Sequence, residues 1–149
     1  MTELVIYRGL PNSGKSTHAR NWVSSDPSLR ARINRDDMRA SIHGGYHKDA
    51  ERAVVAVRDA AISTLLRRGV SVACDDTNLP QRTVRELARL AVLAGADIRV
   101  EDMTDVSVEE CIRRDGLPCY RGEVPVGEAV IRGMYDRFLK GKEYPLPLP

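Results

Sequence analysis

The chain has 149 residues, enough for one domain with a real core and little room for a second. Hydrophobic residues make up 42% and charged residues 30%, which argues against global disorder, and the 5% aromatic share leaves the core to Val, Leu, Ile and Ala. The net charge of +2 singles out no nucleic-acid binder, because a local basic patch need not show in the total, and without an apolar run near about 18 residues no membrane span is predicted.

Glu3 and the early Gly and Pro residues are unlike a signal peptide. Cys74, Cys111 and Cys119 form neither an even disulfide framework nor a close metal-binding pair, so reduced cysteines in a cytoplasmic protein are expected. In chain order, residues 4–7 are a short apolar run before Gly9 and read as a buried strand. Residues 16–25 fit a helix with Ala19, Trp22 and Val23 on one side, ended by Asp26-Pro27. A weaker strand at 29–33 leads into the polar cluster 34–37 and a short helical pattern at 38–42, broken by Gly44-Gly45. Residues 48–68 predict a long helix with Val54, Val57, Ala61, Leu65 and Leu66 as its apolar side and its arginines facing solvent, while arginines after the strands can border a groove.

A third strand at 70–74 runs directly into Asp75-Asp76-Thr77-Asn78. A helix at 79–93, entered through Pro80 and stopped by Gly95, precedes a fourth strand at 96–100. Two helical pieces follow at about 107–114 and 126–139, separated by the irregular segment 116–122, and residues 140–149 read as an extended proline-rich tail. Strands alternating with helices predict a three-layer α/β domain with a mostly parallel, four-stranded sheet. The polar clusters 9–17, 34–39 and 75–78 all follow strands, where such a sheet binds its ligands.

Gly9-Leu10-Pro11-Asn12-Ser13-Gly14-Lys15-Ser16 matches the whole phosphate-binding pattern G-x-x-x-x-G-K-[ST], with a strand before it and a helix after it. The glycines permit a tight turn, and the backbone amides through Asn12 and Ser13 can face phosphate oxygens. Lys15 is expected to reach the β- and γ-phosphates of ATP and Ser16 to coordinate Mg²⁺. Thr17 anchors the helix start or contacts an outer phosphate. The loop alone does not separate a kinase from a switch GTPase or another ATPase.

In Asn34-Arg35-Asp36-Asp37-Met38-Arg39, the adjacent carboxylates point in different directions, so one can receive the proton of an attacking hydroxyl while the other caps the next helix. Arg39, three residues beyond Asp36, can share its face and hold an anionic part of the acceptor. The bland alternative is a charged helix cap. Asp76 could support the acceptor or the metal's water shell, and Asn78 could order the loop that Thr77 shares.

GLPNSGKST, INRDDMR and DDTN, in that order, resemble the 5′-kinase domain of phage and bacterial polynucleotide kinases, most strongly over residues 3–79 and in order through about residue 135. Asn12 stands where many relatives have glycine. The resemblance implies a P-loop kinase domain over 1–139 that moves a phosphoryl group from ATP, with Mg²⁺, to the 5′-hydroxyl end of DNA or RNA. Asp36 matches the general base, and Arg39 matches the arginine that holds the acceptor phosphate. Asp76 matches the aspartate after the third strand, with Thr77 and Asn78 beside it in the acceptor site. The resemblance also implies a C-terminal helical lid at about 106–124 whose arginines close on ATP, Arg114 first and Arg121 second, with neighbouring Arg113 a weaker match.

The implied location is cytoplasmic, the host cytoplasm for a phage-encoded protein. Relatives often couple this kinase to a phosphatase or ligase, and neither is visible in these residues. Trp22 is read as packing or as a subunit contact, which leaves a homo-oligomer open, and His43 and His47 as polar surface residues. The rival readings are a kinase of a small hydroxylated metabolite or antibiotic, and a noncatalytic ATP-responsive nucleic-acid-binding module.

Overall fold

The first strand, β1 (Glu3–Arg8), sends Leu4 and Ile6 to one face and Val5 and Tyr7 to the other, and all four are buried. A strand buried on both faces belongs inside a sheet with helices on either side. In the computed structural model, which describes residues 1–117 and 124–142, β1 lies between β3 (Ser71–Cys74) and β4 (Asp97–Asp102), and β2 (Arg30–Ile33) pairs with β3. The order is β2-β3-β1-β4 and every pairing is parallel, with Val5 opposite Ala73 and Arg99. The chain leaves β1 toward one edge and crosses after β3 to the other, which makes the carboxyl end of β1 a topological switch point.

Helix α1 (Lys15–Ser24) covers one face, where Val5, Tyr7 and Ala73 pack on Ala19, with Trp22 and Met103 alongside. On the other face α3 (Glu51–Arg67) and α4 (Gln81–Ala94) bring Ile62, Leu66, Val84, Leu87 and Ala91 against Leu4, Ile6, Val72 and Cys74. Two further helices, α5 (Val108–Asp115) and α6 (Glu128–Phe138), form a separate cluster: Cys111, Ile131 and Leu139 close on Leu10 and Leu79. Full burial of Leu10 or Leu79 contributes about 1.5–3 kcal/mol, so this end is anchored by packing. The expected three-layer fold with four parallel strands is therefore present. Among the described residues no helix is long and apolar enough to cross a membrane.

Four local expectations need correction. Helix α2 (Arg35–His43) begins three residues before the predicted 38–42, because Asn34 caps it: Oδ1 accepts from the Asp37 amide at 2.8 Å. Asp36 and Asp37 thus both lie in its first turn, and neither is the cap. The predicted helix at 48–68 starts instead as a 3-10 turn (Lys48–Ala50), with α3 proper beginning at Glu51. Its buried stripe is Val54, Arg58, Ile62 and Leu66 at steps of four, while Val57 is exposed. Arg58 is therefore a core residue.

Candidate functional site

The loop from Gly9 to Gly14 joins β1 to α1, and its shape depends on glycine. A Cβ on Gly9 would stand 2.5 Å from Ser13 Oγ and 3.1 Å from the Met103 carbonyl, so a side chain does not fit there. Gly14 adopts φ 100° immediately before α1, and Asn12 takes the left-handed φ of 66°. Helix α1 has no side-chain cap and no acidic residue in its first turn, which leaves its positive end for an anion. Ser16 is half-buried and Thr17 exposed in that turn.

Lys15 is buried at 6% exposure and folds back on the loop, with Nζ donating to the Leu10 carbonyl at 2.7 Å and to Ser13 Oγ at 3.3 Å. Burial lowers its pKa to about 8 against the opposing pull of Asp75, Cys111, Asp76 and Asp36. Lys15 is thus a desolvated cation whose surroundings suit a phosphate. The donor set also fits Mg²⁺, which binds through a few protein oxygens together with phosphates and water. The half-buried Ser16 hydroxyl in the first turn of α1 is an oxygen of the kind Mg²⁺ takes beside phosphates, and among the described residues no group of three or more His, Cys, Asp or Glu forms a protein cage for a metal. Asp75 is committed elsewhere: it accepts from Arg32 Nε at 2.7 Å and from Asn34 Nδ2 at 2.9 Å.

Helix α2 separates its two adjacent carboxylates by direction. Asp37, itself exposed, points toward the end of β2, accepting from Arg32 Nη1 at 2.9 Å and Asn34 Nδ2 at 3.2 Å. Asp36 turns outward, with 88% of its side chain exposed, and accepts from Arg39 Nη1 at 2.6 Å. Arg39 is held in turn by Glu51: Nε donates to Oε1 at 2.9 Å and Oε2 at 3.0 Å, and Nη2 also meets Oε1. The hydrogen bonds from Arg39 keep the Glu51 carboxyl below the usual range.

The loop after β3 forms the floor beneath this helix. Asp76 Oδ1 accepts from the Arg35 amide at 2.9 Å, and Oδ2 accepts from Arg58 Nη1 at 3.1 Å, with Arg35 Nε at 3.6 Å. Its side chain is 5% exposed, so it ties the start of α2 to α3 rather than facing the open site. Asn78 is also buried, donating to the Tyr7 carbonyl at 2.7 Å and the Cys74 carbonyl at 3.3 Å. The Thr77 carbonyl accepts from the Gly9 amide at 3.1 Å, which joins this floor to the phosphate loop. Burial pushes the neighbouring Cys74 thiol far above its ordinary range.

Helix α5 closes the opposite side. Arg114 donates from Nη1 to the Asn12 carbonyl at 3.1 Å and from Nε to Glu110 at 2.9 Å. Arg113 instead pairs with both Glu110 oxygens on the exposed side, each at 2.7 Å. Asp115 Oδ1 accepts from Asn12 Nδ2 at 2.9 Å and the Val126 amide at 2.9 Å, and Oδ2 accepts from the Gly127 amide at 2.8 Å. Those amide bonds help hold its carboxyl below the usual range despite opposing desolvation. Arg121 and Cys119 lie outside the described residues. The structure thus brings Lys15, Ser16, Asn12 and Arg114 together at the loop and Asp36 with Arg39 at the mouth. Glu51, Arg58 and Asp115 were missed because their partners lie far away in sequence.

A glycine-shaped loop at the switch point of a parallel sheet, with a buried lysine at the next helix start, defines a P-loop, ATP-binding domain of kinase-like architecture. The chain belongs to an AAA domain family, whose model matches residues 4–140. It is similar to a chain in the Pnkp1/Rnl/Hen1 RNA repair complex, at 27% identity and TM-score 0.80, covering 92% of this chain and 44% of that one. A second structure of the Pnkp1/Rnl/Hen1 complex matches at 29% identity and TM-score 0.69, covering 82% of this chain and 42% of that one. The chain therefore spans less than half the length of these two relatives. The APS kinase CysC of Mycobacterium tuberculosis, in complex with AMPPNP and APS, shares the fold at 19% identity and TM-score 0.64, with 77% of this chain and 69% of that one covered.

Proposed function

We propose that the chain transfers the γ-phosphoryl group of ATP to the 5′-hydroxyl end of DNA or RNA. The observation that carries this reading is Asp36: an exposed carboxylate at the mouth, within the electrostatic reach of buried Lys15 and bonded to an arginine with donors to spare. Of the five N–H donors of Arg39, two are directed at Glu51 and one at Asp36, which leaves two for an acceptor phosphate. The likeness to chains of an RNA repair complex favours a nucleic-acid acceptor over a small metabolite.

The hydroxyl oxygen attacks the γ-phosphorus as its proton passes to an Asp36 carboxylate oxygen, and the bond to the β-phosphate oxygen breaks to leave ADP. Lys15 donates to the outer phosphates in place of its bonds to the loop, and the amides of Asn12 to Thr17 surround them. Mg²⁺, held by Ser16, would neutralise charge on the phosphates. Residues 106–124 act as a lid, in which Arg114 moves from the Asn12 carbonyl to the transferring group and Arg121 supplies a second guanidinium. Asp76, Thr77 and Asn78 shape the acceptor floor. Labelled ATP with Mg²⁺, offered to 5′-hydroxyl oligonucleotides, nucleosides and sugars, tests this. Label on oligonucleotide ends supports it, whereas turnover indifferent to acceptor chain length, or none at all, overturns it.

A further inference from the structure

We propose that Tyr46 is a stacking platform for the nucleobase of the acceptor's terminal nucleoside. The inference rests on the phosphotransfer reading above and names a binding residue that neither the phosphate loop nor the Asp36 cluster contains. Tyr46 sits in the turn between α2 and the 3-10 turn, directly after Gly44 and Gly45 at φ 70° and 148°. Those angles fold the chain back beside α2 in a way that residues with side chains rarely adopt.

The ring has no packing role that explains it. Arg39 covers one face, its guanidinium carbon 5.6 Å from the ring centroid, and 65% of the tyrosine remains exposed. The same guanidinium donates to Asp36 at 2.6 Å, so one group separates the open aromatic from the proton acceptor. Glu51 grips the other edge of Arg39, so the ring, the guanidinium and the carboxylate hold a common geometry. His43, His47 and Lys48 are exposed around the turn, with Asp49 as the acidic exception. An open aromatic face beside unspent guanidinium donors is the arrangement that takes a base and its adjoining phosphate together.

Stacking is tolerant of base identity because every base has a π-face, yet it rejects acceptors without one. It therefore selects nucleosidic ends over sugars. The test compares the wild-type chain with Tyr46→Ala and Tyr46→Phe, on oligonucleotides ending in a normal or an abasic 5′ nucleoside. Tyr46→Ala is expected to raise the KM for the normal acceptor about tenfold while the KM for ATP stays unchanged, and Tyr46→Phe to behave as wild type. On the abasic acceptor the wild type and Tyr46→Ala should converge. An active wild type with an unaltered Tyr46→Ala overturns the platform alone, as does an equal loss on both acceptors. A wild type that labels no oligonucleotide overturns the functional reading and the platform with it.

Discussion

Lys15→Met should make the nucleotide-free protein more stable. The lysine is 6% exposed, and burial is the largest influence on its ammonium, lowering the pKa from 10.5 to about 8. A difference of that size disfavours the charged form by about 3 kcal/mol. Methionine removes the charge and keeps the apolar stem, but it loses the bonds to the Leu10 carbonyl and Ser13 Oγ. Counted from the neutral amine, once the charge penalty is removed, those bonds contribute about 0.5–1.5 kcal/mol each, and the Leu10 carbonyl keeps the Ser13 amide at 3.1 Å as a partner. The net expectation at pH 7 is a gain of up to about 2 kcal/mol.

The pH dependence of that gain follows from the lowered pKa. Because the folded value lies below the unfolded one, the unfolded chain holds more protons between pH 8 and 10.5, so wild-type stability rises across that window. Below about pH 8 the penalty is fully present, and the variant's advantage is greatest there. Urea melts of both proteins at pH 7 and pH 10, compared as a difference, isolate this group, because Tyr7 and every other titrating residue are common to both. A variant less stable than wild type at pH 7, or a difference that does not shrink toward pH 10, refutes the reasoning. ATP should stabilise the wild type and fail to stabilise the variant, because the phosphates would lose the cation.

Arg58→Ala should destabilise the fold by about 3–5 kcal/mol, read from the urea midpoint, because it leaves the buried Asp76 carboxylate without its closest guanidinium. Arg82→Ala, which breaks an exposed pair with Glu86, should barely move that midpoint. Asp36→Asn should slow phosphoryl transfer about 10²–10⁴-fold with ATP affinity unchanged, as measured by single-turnover kinetics beside nucleotide titration. Asp115→Ala should accelerate amide exchange at Val126 and Gly127 at least about fivefold, since each loses a hydrogen bond to that carboxylate. Unchanged exchange there would remove Asp115 as the clasp between the phosphate loop and α6.

The donor side was legible in the sequence because its chemistry is local. A loop that binds through backbone amides needs glycines at fixed steps, and the lysine and hydroxyl follow within two residues, so Gly9 to Thr17 carries the whole device. The four strands and their parallel arrangement were legible for a similar reason, since short apolar runs alternate with longer helical patterns. The acceptor side was harder to read. Asn34 looked like part of a loop, yet its side chain starts α2 and also reaches Asp75, 41 residues away. Arg58 looked like a surface charge because the buried stripe was placed on Val57 and Ala61, each one residue, or about 100° of the helical wheel, from the buried Arg58 and Ile62. No periodicity reveals that an arginine is buried when its partner, Asp76, is 18 residues distant. Asp115 could be found only by folding α5 onto the loop.

The small net charge acquires a physical meaning in this arrangement. Arg32, Arg35, Arg39 and Arg58 are opposed by Asp36, Asp37, Asp75, Asp76 and Glu51, so the acceptor side is an ionic lattice rather than a bare basic patch. Its inner members, Arg58, Asp75 and Asp76, have side chains at most 5% exposed, where salt screens weakly, and they fix α2 against α3 and β3. Its outer members, Asp36 and Arg39, have their charges paired before any acceptor arrives. A polynucleotide acceptor, as proposed above, would therefore gain little from general attraction and would have to use the donors that Arg39 has left. Recognition of this kind favours a short stretch at an end, where one phosphate and one base can be placed together, over continuous binding along a strand. Under the proposed function, this lattice would direct the site toward termini.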